Sequence, residues 1–287
     1  MLRVCIVSPL LLSRNRLLRH FLFETISRSS YNGLLVSHDA GVMFVHDSRD
    51  HGPGRELFIR GTQDFAKLEI TLRLLRDSGA APIACMLDVG ANIGTICIPA
   101  VKRGLIAAAI GVEAVPAIAR LLQANIVLNG LSSAITVVNA AVSARADETV
   151  EIALNAGNQG DNRVATARTS LDHAQFTGSV RVATTTLDTL LPDGGADTLI
   201  WMDIQGHEGI ALLGAERTLK SKPPLVLEFC PALMSQAASY EALKTAIAGY
   251  RGFHDLAHPS YLRPLTDLDR LNEALGSRGN FTDILVL

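Results

Sequence analysis

From Pro82 onward, short apolar runs bounded by turn residues alternate with stretches whose apolar positions recur every three or four residues. That rhythm predicts strands alternating with helices, and therefore a largely parallel sheet covered on both faces. Strands are predicted for the run ending at Asp88, for Leu105 to Val112, for Ala134 to Val138, for Thr149 to Leu154, for Val180 to Thr186, for the run from Leu199 to Asp203, and for Pro224 to Phe229. Helices are predicted over Ile93 to Arg103, from Pro116 with Ile118, Leu121, Leu122 and Ile126 on one stripe, and over Tyr240 to Gly249. Asn129-Gly130 supplies the stop of the second of these. The terminal FTDILVL predicts a last strand pairing at an edge of the sheet.

Ahead of that domain the pattern differs. Met1 to about Arg28 reads as an N-terminal helix; its apolar CIVSPLLL run is too short to span a bilayer. The arginines follow the run instead of preceding it, unlike a signal peptide. Packing against the main domain is the favoured role for this helix, and weak membrane-surface contact by a basic amphipathic face is the other. LLVS and VMFV around HDAG predict a hairpin from Leu34 to Val45. DSRDHGPGR, from Asp47 to Arg55, reads as a solvated turn rather than a metal site, because no metal-ligand spacing is present. Phe65, Leu68, Leu72 and Leu75 mark a helix that stops at Gly79. Residues 1–80 are thus expected to form a cap of helix, hairpin and helix, and residues 81–287 the main α/β domain.

Composition changes this picture little. The chain has 287 residues, is 48% hydrophobic and carries a formal net charge of −2, enough for a large core and no electrostatic case for nucleic acid. Cys5, Cys85, Cys97 and Cys230 are scattered without a C-x-x-C pair, which suggests reduced thiols and a cytoplasmic setting.

The candidate chemistry sits at two strand ends. LDVGANIGT, Leu87 to Thr95, joins a strand ending in Asp88 to a turn in which Gly90 permits a sharp bend and Gly94 close helix packing. Asn92 between the glycines and Thr95 in place of a third glycine depart from the dinucleotide fingerprint and favour another adenosine cofactor. Glu113, about 20 residues on at the tip of the second strand, is placed to accept both ribose hydroxyls; its alternative is a helix-start acid ahead of Pro116. Asn139, at the end of the third strand, falls near the expected base of the cofactor or serves as a turn residue. The second constellation, LIWMDIQGHEG, delivers Asp203 to a strand end with His207 and Glu208 beyond Gly206, where Asp203 and Glu208 could equally be helix N-terminal acids. In the long polar loop GNQGDNRVATARTS, Asp161, Asn162 and Arg163 are the candidate contacts. Glu228 closes an apolar strand and needs a partner or solvent.

DVGANIGT, Glu113, NIVLNG from Asn125, TLD from Thr186, DIQGHE and PLVLEF, in that order, resemble the FkbM-type methyltransferases over about Phe58 to Leu287. The resemblance implies a class I methyltransferase fold, Rossmann-like and mostly parallel with an antiparallel last strand, and S-adenosyl-L-methionine as cofactor. It also implies that Asp88, Gly90, Asn92 and Gly94 cradle the methionine part, that Glu113 holds the ribose, that Asp203 lies closest to the methyl group and that Glu208 is the motif's second acid. Gln205 stands where many relatives have Glu, and losing that carboxylate argues against a divalent metal.

The expectation is therefore a cytoplasmic O-methyltransferase for a hydroxyl on a small molecule or saccharide, with Asp203 ranked before His207 as base. A homodimer is left open. An NAD-linked oxidoreductase is the alternative, opposed by the loop spacing and by the lack of a Tyr-x-x-x-Lys pair. A non-catalytic cofactor-binding accessory protein is a third reading. Nucleic-acid methylation ranks last, since IQG rather than a Pro-Pro-aromatic turn follows Asp203.

Overall fold

The computed structural model describes residues 4–5, 15–29, 33–61, 65–166 and 176–287. The first part comprises β1 (Val4–Cys5), α1 (Arg16–Arg28), β2 (Leu34–Asp39), β3 (Val42–Asp47), α2 (Pro53–Arg60) and α3 (Phe65–Asp77). There follow β4 (Cys85–Val89), α4 (Cys97–Lys102), β5 (Ala108–Val112), α5 (Pro116–Leu128), β6 (Ile135–Val138), β7 (Ala141–Val142), β8 (Thr149–Leu154), β9 (Arg163–Val164) and β10 (Gly178–Thr185). The chain ends with α6 (Leu187–Leu190), β11 (Thr198–Met202), α7 (Glu208–Leu213), α8 (Glu216–Lys220), β12 (Leu225–Phe229), α9 (Pro231–Ala237), α10 (Tyr240–Ile247), β13 (Phe253–Asp255), α11 (Leu268–Gly276) and β14 (Thr282–Val286).

Seven strands make the central sheet in the order β13-β14-β12-β11-β4-β5-β6. The five from β12 to β6 are parallel, and β14 runs antiparallel to both β12 and β13. The class I methyltransferase sheet is therefore present, its last strand antiparallel as expected. That strand is not at an edge, however: β14 lies inside the sheet and β13 takes the edge. The reason is legible in burial, since β14 is buried except at Asp283, and a strand covered on both faces reads as a continuous apolar run. One apolar layer packs α3, α4 and α5 on one face, and a second packs α7, α10 and α11 on the other.

Two predicted strands fall outside this sheet. β8 and β10 pair antiparallel over six residue pairs and, with β7 and β9, form a separate four-stranded sheet beside the C-terminal ends of the parallel strands.

Before β4, the hairpin β2–β3 turns at Ala40-Gly41, both with positive φ, as a two-residue hairpin turn requires. The expected helix from Met1 is corrected: Val4–Cys5 is a strand parallel to β2, and the helix begins only at Arg16, where the Asn15 side chain accepts from the Leu17 and Leu18 N–H groups. The rest of the CIVSPLLL run lies outside the described residues. The helix expected over Ile93 to Arg103 is confined to α4, because Asn92 (φ 50°) and Gly94 (φ 92°) occupy the left-handed region.

The expected solvated turn at Asp47 to Arg55 is also corrected. Asp50 is 1% exposed, and its carboxylate accepts from Gly52 N (3.0 Å), Gly54 N (2.7 Å) and Gln159 N (3.1 Å). Those bonds satisfy free N–H groups at the start of α2 and fasten the loop before β9 to it. Cys97 is buried, Cys85 and Cys230 half-buried, and all three thiols are free. Among the described residues no helix is long and apolar enough to cross a membrane.

Candidate active site

The chain leaves β4 toward β5 and β6 on one side and later returns to β11 and β12 on the other, so the topological switch point lies between β4 and β11. In open α/β sheets ligands bind at that crevice, outside the carboxyl ends of the strands. Gly90 follows β4 and Asp203 follows β11, so both stand there.

Gly90 (φ 83°) has no room for a side chain: a Cβ would lie 2.0 Å from the Asp203 carbonyl oxygen. The loop after β4 and the chain leaving β11 therefore pack backbone against backbone, and two clefts border them. The first, about 570 Å³ with its open mouth included, is lined by Gly90, Asn92, Glu113, Ala140 to Val142, Ile152, Asn162, Arg163, Asp203 and His207, among others. The second, about 1040 Å³, lies toward α2 and α3 and is lined by Asp88, Thr95, Trp201, Asp203, Asp283 and Lys67, among others. Gly90, Asn92, Gly160 and Asp203 belong to both.

Glu113 ends β5 with its carboxylate accepting from Asn92 N (3.0 Å) and Val115 N (2.8 Å). Each carboxylate oxygen keeps a further acceptor site. Burial pushes its pKa up to about 7, against the lowering influence of the two N–H donors. Asn92 also donates from Nδ2 to the Gln159 carbonyl (3.4 Å), tying the loop to the segment before β9. The Asp88 carboxylate is buried and accepts from Cys97 N (3.2 Å), so it doubles as an acid at the start of α4.

Asp203 is exposed at the strand end, and Gln205 donates from Nε2 to its Oδ1 (2.7 Å) and to Glu228 Oε2 (3.0 Å). That amide is the partner Glu228 requires. Burial, with the charges of Asp203, Glu208 and Asp283, pushes the Glu228 carboxyl up to about 11 and keeps it protonated at neutral pH. His207 is largely buried and faces the first cleft, its Nε2 3.2 Å from Ser143 Oγ, with a pKa pushed down by burial to about 4.

Glu208, Gly94, Asn139 and Asp161 lie away from the cleft walls. Glu208 is fully buried, and its Oε1 accepts from Ile204 N (3.0 Å) and Gly206 N (3.3 Å), holding the turn that carries Asp203. Gly94 leaves space for Ile98 and Leu122, which a Cβ would meet at 2.5 and 2.8 Å. Asn139 donates to the Glu113 (2.7 Å) and Ala114 (2.9 Å) carbonyls, supporting the backbone beneath Glu113. Asp161 braces Asn155 (3.0 Å) and Arg163 (3.6 Å), while Asn162 and Arg163 reach the first cleft. Sequence reasoning missed Trp201, Asp283 and Lys67. Asp283 had a usable signal, a lone carboxylate inside the apolar FTDILVL run; Lys67 had none. Among the described residues no group of three or more His, Cys, Asp or Glu could hold a metal ion.

The family model described as Methyltransferase FkbM domain matches residues 88–253. The chain belongs to the FkbM methyltransferase family. The matched span begins at Asp88 and includes the loop, Glu113, Asp203 and Glu228, so both strand ends of the site fall within the FkbM domain. No curated protein matches the chain.

Among solved structures, similar chains include a precorrin-6y C5,15-methyltransferase from Geobacter metallireducens (15% identity, TM-score 0.37, 76% of this chain and 86% of that one). TYW2 from P. horikoshii in complex with MeSAdo is similar at 12% identity (TM-score 0.41, 99% and 85%), and a Bacillus cereus O-methyltransferase in complex with SAH at 13% (TM-score 0.38, 77% and 80%).

FkbM methyltransferases use S-adenosylmethionine, and the residues present fit it. Gly90 and Asn92 border the first cleft, Glu113 retains acceptor sites for ribose hydroxyls, and the Asp88 carboxylate beside the loop suits a cationic sulfonium and ammonium.

Proposed function

We propose that this protein transfers a methyl group from S-adenosylmethionine to a hydroxyl of a small molecule or saccharide. The observation that carries this reading is the position of Asp203, exposed at the switch point and shared by both clefts. An adenosine in the first cleft and an acceptor in the second would meet there.

When bound, the cofactor supplies an electrophilic methyl group on a positively charged sulfur. Gly90 and Asn92 present backbone to it, Asp88 balances its charge and Glu113 accepts from its ribose. Asp203, held by Gln205 through Oδ1, takes the acceptor's hydroxyl proton. His207 stays neutral and weakly basic near pH 7, so it serves as a polar wall; Glu208 keeps the Asp203 turn in place.

Calorimetric titration with S-adenosylmethionine and S-adenosylhomocysteine, with NAD as control, tests the cofactor. Micromolar binding that Glu113→Ala abolishes is expected; binding of NAD alone would overturn the reading. In an acceptor screen, Asp203→Ala should leave cofactor affinity intact and abolish transfer. A non-catalytic binding protein would give no transfer with either form.

A further inference from the structure

The first cleft takes one wall from outside the central sheet. β8 and β9 pair antiparallel with Ile152 directly opposite Val164, and both residues line that cleft. Together with Ala140 and, on β7, Val142, they give it an apolar surface. Asn162 lies two residues before Val164 in extended backbone (φ −64°, ψ 130°), so pleating puts it on the same face, and it lines the cleft as well. Its carboxamide has a fixed sense. The Asn155 N–H donates to Oδ1 (2.8 Å), and only the oxygen of an amide can accept, so the group cannot flip. Nδ2 has no partner among the described residues. The turn that carries Asn162 is braced throughout: Asn155 Oδ1 accepts from Gly157 N and Asn158 N (3.0 Å each), Asn155 Nδ2 donates to Asp161 (3.0 Å), Asn158 Oδ1 accepts from Gly160 N (3.1 Å), and Gln159 N donates to Asp50 (3.1 Å). A donor is thus held ready at the border of an apolar wall. The neighbouring guanidinium of Arg163 is engaged elsewhere, by Asp161 (3.6 Å) and over the ring of Phe176 (4.7 Å).

We infer that Asn162 is a specificity residue for the cofactor's base, its Nδ2 donating to a ring nitrogen of adenine. The inference rests on the methyltransferase reading, in which Glu113 holds the ribose. A purine asks for apolar surface against its faces and for polar groups at its edge. Ile152, Val164, Ala140 and Val142 supply the first, and Asn162 supplies the second. On the edge of adenine the exocyclic amine donates, whereas the ring nitrogens that do not carry the ribose only accept, so these suit an N–H donor. Neither the sense of the amide nor its backbone has to be ordered on binding, which places the bond near the upper end of what a neutral hydrogen bond contributes, about tenfold in affinity. The two ends of the side chain have separate tasks: Oδ1 holds the hairpin through Asn155, and Nδ2 is left to the ligand.

The test is calorimetric: affinities of the intact chain for S-adenosylhomocysteine and for its 1-deaza, 3-deaza and 7-deaza analogues, each of which replaces one ring nitrogen by C–H. One of the three is expected to bind about tenfold more weakly than the parent compound. Asn162→Asp keeps the oxygen that accepts from Asn155 N and removes the donor. It should lower S-adenosylhomocysteine affinity by about tenfold or more and close or invert the gap between the parent and that one analogue, leaving the order of the other two unchanged. An equal loss for all four ligands in the variant would show a purely structural role and overturn the inference. So would three deaza analogues that all bind the wild-type protein as tightly as the parent, a result that needs no variant. Wild-type protein that binds none of the four would instead overturn the cofactor reading, and this inference with it.

Discussion

Replacing Asn125 by alanine should loosen the hairpin from the methyltransferase sheet. Asn125 is fully buried on the inner stripe of α5, and its Oδ1 accepts from Val45 N (2.6 Å) while Nδ2 donates to the carbonyls of Val45 (3.1 Å) and Ile93 (2.9 Å). One turn later, Asn129 repeats the pattern on Met43 (3.0 and 2.7 Å). Two amides spaced i, i+4 on a helix thus face alternate residues of β3 and pair its outer edge as a neighbouring strand would. Alanine at 125 strands three backbone partners at about 1 kcal/mol each, offset by roughly 0.5 kcal/mol of better helix propensity, for a loss of about 2.5 kcal/mol.

For a chain of this size that loss lowers Tm by roughly 5–10 °C. Asn129→Ala should cost less, about 1 kcal/mol, because Met43 is 36% exposed and water replaces part of what is lost. Asn125→Asp should exceed both, since it buries a charge and turns two donors into acceptors facing carbonyls. Thermal unfolding ranks the three, and hydrogen exchange at the Val45 amide reports the contact directly. A shift below about 1 °C for Asn125→Ala, with Val45 exchange unchanged, would refute the edge-pairing account.

Three further outcomes follow from the site. Cofactor affinity should fall as pH drops through about 7, where Glu113 takes up a proton and loses an acceptor, and Glu113→Gln should abolish that dependence; a calorimetric series from pH 6 to 8.5 decides it. Glu208 has a folded pKa raised from 4.5 to about 8, so its contribution to stability is full below 4.5 and is lost as pH rises through 8; Glu208→Gln should therefore raise Tm at pH 8 and give no gain at pH 4.5, while an equal change at both would refute it. Gly90→Ala places a Cβ 2.0 Å from the Asp203 carbonyl oxygen, so cofactor binding should be lost and stability reduced, and a variant with wild-type affinity and Tm would contradict the packing.

The strand rhythm made the parallel sheet legible because the sheet's strands are buried on both faces and read as apolar runs between turns. The same signal could not order them. FTDILVL carries no mark of lying between β12 and β13, and β8 and β10 look like sheet strands although they form their own layer. At the site, Gly90, Asn92, Glu113 and Asp203 could be placed because each sits at a strand end, where position alone fixes which crevice it faces. Glu208 could not be told from a wall residue by sequence, since helix-start acids and ligand-facing acids occupy the same register; only its bonds to Ile204 and Gly206 set it apart. Asp50 was hidden for the opposite reason. Its partner Gln159 is over a hundred residues away, and no local pattern predicts such a contact.

Asp50 and Asn125 together explain why the elements before β4 matter to the chemistry. Asn125 joins β3 to the loop through Ile93, three residues beyond Gly90, and Asp50 joins the start of α2 to Gln159, whose carbonyl in turn receives the Asn92 amide. The two connections end on adjacent residues of the same glycine loop, Asn92 and Ile93. A change that shifts the hairpin or α2 therefore moves the floor shared by both clefts, and altered acceptor preference should come with altered cofactor affinity. Substitutions at Lys67 or Glu56, which line the second cleft and make neither of these bonds, should change acceptor preference alone.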